Sequence, residues 1–202
     1  MKRIVGETYT FFDQDYRLIE DHIVPEDKKM PLLLKLNWWA ILFIVVAIVA
    51  TIGLFWNRID VTFDLIGVSL YLISFLLYVI VHELLHGIAF VLFSGRSWKT
   101  MKFGLILKNG LAYCISVAPV TVKRARLSLM MPLYVVCIPI YLYSILTGSF
   151  ALAILAVLFA SGSAGDIYYL WILRKTNSDL YMMEELPTKQ GYAVGYYLYE
   201  RI

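Results

Sequence analysis

Cysteine, histidine and charge are all scarce in this chain of 202 residues. It has two cysteines and three histidines, and 16% of its residues are charged whereas 60% are hydrophobic. A soluble domain is typically about half apolar and about a quarter charged. Because Cys114 and Cys137 lie far apart, they predict neither a disulfide framework nor a zinc ribbon. The composition therefore favours an integral membrane protein with one membrane domain.

The start of the chain lacks the apolar segment of a secretory signal. Met1-Lys2-Arg3-Ile4 leads into the polar run 6–17, so we predict no cleaved signal peptide. The net charge is only +3, and we predict no nucleic-acid partner. The composition leaves the oligomeric state open.

Long apolar runs are present and predict about four membrane-spanning helices, since about 20 apolar residues cross a bilayer as a helix. The predicted spans are residues 38–56, 66–93, 127–146 and 149–173. Trp38 and Trp56 lie at the two ends of the first run, where amphipathic rings meet the membrane interfaces. We therefore predict an all-α membrane protein. Its predicted regions are an N-terminal segment 1–36, a membrane domain 37–175 and a tail 176–202.

The loop 94–126 between the second and third spans is basic and contains a hairpin signal. Two β-type runs, 102–108 and 111–117, flank Asn109-Gly110, and both central residues of a type I′ turn need positive φ. The loop has seven Lys and Arg residues and no Asp or Glu. By the positive-inside rule we predict that the hairpin and both termini are cytoplasmic. The basic residues alternatively set topology or touch anionic lipid alone.

Residues 81–87, within the second predicted span, read Val-His-Glu-Leu-Leu-His-Gly. His82 and His86 are four residues apart and so lie on one helix face, which Glu83 flanks. Imidazole and carboxylate groups are costly inside a membrane and mark a functional site by default. The pattern H-E-x-x-H is typical of a helix on which two histidines bind zinc and the glutamate acts as general base.

A catalytic zinc site needs a third protein ligand and an open position for water. Asp166 is the only acidic residue besides Glu83 within the predicted spans. Asp166 and His86 each lie seven residues before the cytoplasmic end of their span, about 10 Å below it. We therefore predict that His82, His86 and Asp166 bind Zn²⁺ and that Glu83 is the general acid/base. Alternative roles for Asp166 are a structural hydrogen bond or a proton relay.

The motif His82-Glu83-Leu84-Leu85-His86, the basic hairpin loop and the late Asp166 together resemble the site-2-type intramembrane metalloproteases. The closer similarity is to a bacterial group of membrane zincin peptidases that pairs this motif with a late Gly-Asp, here Gly165-Asp166, over residues 65–173. The better-known site-2 proteases instead have Asp followed by Gly, near proline. The resemblance implies an integral protein of the bacterial cell membrane that cleaves peptide bonds in or near the bilayer.

The same resemblance implies a role for the hairpin. In that family the substrate is unwound and held as a strand near the metal, so the hairpin is a candidate edge for β-addition. Asn109 and Tyr113 are the predicted substrate-binding residues. The alternative is that the hairpin only caps the helices.

Three functional hypotheses follow from these patterns. The first is a zinc peptidase that cleaves a membrane-protein or membrane-proximal peptide, with zinc-bound water activated by Glu83. The second is a metal-binding membrane protein that does not cleave, such as an inactive zincin scaffold, a metal sensor or a transporter. The first and third spans contain no charged residue or histidine, which weighs against a transporter. The third is a structural histidine pair without metal.

Overall fold

Helices form most of the structure, and strands from both ends of the chain accompany them. The computed structural model describes residues 5–11, 14–59, 65–95, 97–106, 111–185 and 195–202. The helices are α1 (Glu26–Leu54), α2 (Leu65–Ser94), α3 (Val122–Pro132), α4 (Ile138–Thr147), α5 (Phe150–Ser161) and α6 (Ala164–Leu173). The strands are β1 (Thr8–Phe11), β2 (Gln14–Asp21), β3 (Met101–Ile106), β4 (Leu111–Ser116), β5 (Val120–Thr121), β6 (Tyr181–Glu184) and β7 (Tyr196–Arg201).

Three helices of the described chain are long and apolar enough to cross a membrane. They comprise residues Asp27–Leu54, Leu65–Ser94 and Val122–Thr147. A fourth crossing results if α5 and α6, which meet at an angle of 51°, form one span. Val46, Leu72 and Leu76 are each more than half exposed. Such an apolar outer surface is typical of helices that face lipid.

The helix bounds differ from the predicted spans for local reasons. The first helix begins at Glu26 rather than at residue 38, because the apolar run marks only the part of a helix that can lie in hydrocarbon. After Pro132 the third helix passes through a π-helical segment, Leu133–Cys137, since proline removes one backbone donor. The predicted fourth span is interrupted at Gly162 and Ser163, between α5 and α6.

A five-stranded antiparallel sheet corrects the all-α prediction. Its order is β1-β2-β7-β6-β5, so β7 joins strands from the two ends of the chain. Tyr196 and Leu198 of β7 pack in a cluster with Phe90 of α2, and Tyr199 packs with Tyr16 on the other face. A strand buried on both faces has no alternating pattern. The sequence of β7 therefore gave no clear strand signal.

The strands β3 and β4 pair as an antiparallel hairpin between α2 and α3. The predicted turn at Asn109-Gly110 lies outside the described residues. The strand β4 packs against α2. A Cβ atom at Gly87 would come within 2.5 Å of the Phe103 ring, so glycine allows the hairpin to approach this helix. The cytoplasmic placement of the hairpin and the three-region division of the chain stay predictions.

We expect the substitution Leu198→Ala to destabilise the protein by about 2–5 kcal/mol, because it leaves a cavity where β7 packs on the helices. The measurement is the free energy of unfolding of purified protein in detergent micelles. Ile202→Ala is the control, since Ile202 is 70% exposed and should change stability by less than about 0.5 kcal/mol. Equal effects of the two substitutions would contradict this account of the core.

Candidate metal centre

His82 and His86 lie on the face of α2 that points into the protein. Both residues are buried, with 6% and 5% of their surfaces exposed, whereas Val81 and Leu84 on other faces of the helix are exposed. One helical turn separates the two histidines, and their Nε2 atoms are 3.1 Å apart. The helical periodicity of the motif thus aims two ring nitrogens at the same point.

Asp166 reaches the same point from the first turn of α6. Its Oδ2 atom lies 3.2 Å from Nε2 of His82, and its Oδ1 atom lies 3.3 Å from Nε2 of His86. Because the chain breaks before α6, Asp166 lies near the N-terminus of a new helix. An acidic side chain is favoured at such a position. The two histidines and the aspartate each offer one ligand atom, and these atoms all lie within 4.8 Å of one another.

The geometry of these three side chains fits a zinc ion. Ligand atoms bound to tetrahedral zinc at about 2.0–2.1 Å are about 3.3–3.4 Å apart. The two Nε2 atoms are 3.1 Å apart, and they lie 3.2 and 3.3 Å from the two different oxygens of Asp166, all close to that value. With one atom from each residue, the set lies within 4.8 Å. Oδ2 of Asp166 is also buried without a hydrogen-bond partner among the described residues, so a cation would satisfy it. Two imidazoles and one carboxylate are the protein ligands of many catalytic zinc sites.

Hydrogen bonds behind the two imidazoles orient their rings. Nδ1 of His86 lies 2.9 Å from the carbonyl oxygen of Ser128. Because a carbonyl only accepts, this nitrogen donates, and Nε2 of the neutral ring presents a lone pair to the candidate metal position. Nδ1 of His82 lies 3.1 Å from the hydroxyl group of Tyr78, which is also 3.2 Å from Sγ of Cys137.

Sequence reasoning did not identify these supporting groups. Tyr78 precedes His82 by four residues and so shares its helix face, a spacing that could have pointed to it. The Ser128 carbonyl belongs to another helix, and nothing in its residue type marks it as a partner.

Glu83 lies beside the three side chains and opens onto a cavity of about 210 Å³. His86 and Asp166 line the same cavity, as does Tyr113 of the hairpin. The Glu83 carboxylate interacts with the main chain of Cys114, so the hairpin helps to orient it.

The thiol of Cys114 is not suited to bind metal or act as a nucleophile. Burial raises its pKa to about 12, and the nearby carboxylates of Glu83 and Glu184 act in the same direction. A thiol needs to ionise for either role. The site chemistry therefore depends on histidine and carboxylate groups.

The predicted substrate-binding residues have different outcomes. Tyr113 lies in the cavity wall, opposite Gly104 in the hairpin, and its predicted role stays a prediction. Asn109 lies outside the described residues. The cavity also contains two residues that sequence reasoning missed, Glu184 and Glu185. The polar composition of the tail gave no sign that these acids reach the site.

We expect Tyr78→Phe to weaken zinc binding about 10- to 100-fold, because it removes the hydrogen bond that orients His82. The measurement is a zinc titration of purified protein against a competing chelator. Tyr71→Phe is the control, since Tyr71 lies two turns earlier on the same helix and outside the site. Unchanged zinc affinity in Tyr78→Phe would show that this hydroxyl does not support the ligand.

The family comparison covers the part of the chain that contains this site. The family model described as "putative zincin peptidase" matches residues 75–181, a stretch of 107 residues and just over half of the chain. No curated protein and no solved structure matches the chain. The matched segment includes His82, Glu83, His86 and Asp166. The chain therefore belongs to the putative zincin peptidase family.

Proposed function

We propose that this protein is a zinc-dependent peptidase embedded in a membrane. His82, His86 and Asp166 hold the metal, and Glu83 is the general acid/base. The carrying observation is that two imidazole nitrogens 3.1 Å apart each lie 3.2–3.3 Å from an oxygen of Asp166, beside a glutamate that opens onto the same cavity. Membership of the zincin peptidase family supports metallopeptidase chemistry.

Bound zinc supplies a Lewis acid that acidifies water and polarises the scissile carbonyl. The protein's own contribution is to position and move protons. Glu83 follows His82 directly, so its side chain is about 100° further round the helix and faces the cavity beside the ligand cluster. From there it accepts a proton from the attacking water and donates it to the leaving amine. The Cys114 main chain fixes the carboxylate for both transfers.

The walls of the cavity support a peptide substrate. Four consecutive residues of β4, Ala112–Ile115, line it, and β4 pairs only with β3 among the described strands. A substrate segment in extended form would hydrogen-bond along the edge of β4 that faces away from β3, apart from the Cys114 group that Glu83 occupies. The apolar side chains of Phe90 and Leu129 complete the wall and exclude water. We infer that the substrate is a membrane-protein or membrane-proximal peptide, which must unwind to bind.

We infer four membrane crossings, with α5 and α6 forming the fourth, in a bacterial cell membrane. The exposed apolar helices support membrane insertion, and the basic loop 94–126 supports a cytoplasmic hairpin and cytoplasmic termini. The metal centre then lies below the cytoplasmic surface, near the end of α2 that leads into the hairpin.

We expect Glu83→Gln to lower peptide cleavage about 10²- to 10⁴-fold while zinc remains bound, because the amide cannot transfer the protons. The measurement compares membrane-protein fragments from cells that express each variant, together with the zinc content of the purified proteins. Glu200→Gln is the control, since Glu200 pairs with Arg17 on the exposed sheet.

Each other outcome of this comparison contradicts a different part of the proposal. Normal cleavage by Glu83→Gln would exclude Glu83 as the general acid/base. Identical fragments with and without wild-type protein would favour a non-cleaving metal-binding scaffold. Less than about one-tenth equivalent of zinc in the wild-type protein would favour a structural histidine pair, since such sites normally bind tightly.

The topology predicts opposite labelling of two engineered cysteines. Asn57 lies in the connection between the first two spans, and Asp179 lies between α6 and β6; both are exposed. In intact spheroplasts, a membrane-impermeant maleimide should label Asn57→Cys and leave Asp179→Cys unlabelled until the cells are opened. The native cysteines, Cys114 and Cys137, are buried and serve as an internal control in the unsubstituted protein. Labelling of Asp179→Cys in intact cells would reverse the orientation.

A further inference from the structure

An acidic residue occupies the inward face of the terminal sheet, where the neighbouring side chains are apolar. Side chains alternate between the two faces of a strand, so Glu184 of β6 shares its face with Met182. Met182 packs in the cluster that includes Phe90 of α2 and Leu173 of α6. Tyr196, the cross-strand neighbour of Glu184, packs in that cluster as well. Glu184 therefore points toward the helices and lines the cavity that contains Glu83, His86 and Asp166.

The carboxylate of Glu184 has no hydrogen-bond or ion-pair partner among the described residues. Its neighbour Glu185, by contrast, pairs with the buried Lys29 at 3.3 Å. The pKa of Glu184 is raised to about 7, chiefly by burial; His86 lowers it, and the charges of Asp166 and Glu83 act to raise it. Glu184 is half-buried, and an acid that is partly removed from water without a partner is costly and typical of functional sites.

Of the acids that line the cavity, Glu184 is the one whose negative charge neither a bound zinc ion nor Lys29 would offset. A divalent zinc ion would offset the carboxylates of Asp166 and Glu83, and Lys29 offsets Glu185. No lysine or arginine is among the described residues that line the cavity. A substrate that brings a positive charge would therefore complete the balance, whereas with a neutral substrate Glu184 would take up a proton instead.

We propose that Glu184 is a specificity-determining residue that binds an ammonium group of the substrate. This inference rests on the proposed peptidase function and names its substrate class. The substrate is a peptide with a primary ammonium group close to the scissile bond. That group is either a lysine side chain or a free N-terminus, and Glu184 recognises the charge common to both.

The test uses full-length, zinc-loaded protein in detergent micelles and three small hydroxamates that chelate zinc. Nα-acetyl-lysine hydroxamate and Nα-acetyl-norleucine hydroxamate have side chains of similar length that differ in the ammonium group. Norleucine hydroxamate with a free α-amine presents the charge at the N-terminus instead. The measurement is the dissociation constant of each probe by calorimetry.

We expect wild-type protein to bind at least one ammonium probe tenfold or more tightly than Nα-acetyl-norleucine hydroxamate. Tight binding of the acetylated lysine probe would identify a lysine side chain as the source, and tight binding of the free-amine probe would identify an N-terminus. In Glu184→Gln this preference should disappear, while the affinity for the neutral probe is retained. The control Glu200→Gln should behave as wild type, because Glu200 lies at the exposed end of β7. Glu184→Met provides a second neutral variant that matches the apolar side chains around it.

Three outcomes would overturn this inference alone, and a fourth would overturn the proposed function as well. Equal affinities in wild-type protein would show that the cavity does not select for charge. A preference that persists in Glu184→Gln and Glu184→Met would assign the selection to another group. Loss of affinity for the neutral probe in both variants would show that Glu184 is structural. Failure of all three hydroxamates to bind wild-type protein would instead contradict the zinc site itself, and so both proposals.

Discussion

Imidazole and carboxylate groups inside an apolar helix bundle lose their contact with water, and this cost shapes the centre of the molecule. His82, His86 and Asp166 jointly offset this desolvation cost, because each presents its ligand atom to the other two. Removing one member would leave two buried polar groups without their partner. The packing of α2 near α6 is therefore coupled to the presence of all three side chains.

The surrounding structure holds this cluster from several directions. The carbonyl of Ser128 in α3 and the hydroxyl of Tyr78 in α2 fix the two imidazole rings. The hairpin reaches α2 at Gly87, where the absence of a side chain lets Phe103 approach. Each contact comes from a different element, so the geometry of the site depends on the whole helical arrangement and on the sheet that packs against it.

The candidate ligands could be predicted from two features of the sequence. These are the spacing of the two histidines and the small number of acidic residues in the apolar runs. A spacing of four residues places His82 and His86 on one helix face in any α-helix. Asp166 could be found because few acids lie within apolar runs, and equal distances from the span ends suggested equal depth. The structure brings these three side chains together, while their binding of metal remains a proposal.

The remaining features could not be predicted because they depend on contacts between distant segments. The strands β2 and β7 pair across about 180 residues of sequence, and β7 lacks alternation because both of its faces are packed. The position of Glu184 at the cavity follows only from that pairing. The break at Gly162 and Ser163 falls in a run of small residues within one continuous predicted span, and nothing in that run indicated a bend.

The pairing of β2 with β7 also has a consequence for the order of assembly. Contacts between segments so far apart form late, since the chain entropy of closing a long loop must be overcome first. All of the described helices lie between these two strands in sequence, and in the proposed topology they would enter the membrane before the strands can meet. We therefore expect the sheet wall of the cavity, including Glu184, to form only after insertion. A newly made chain would then carry its histidines and Asp166 for some time before it has a complete binding cavity.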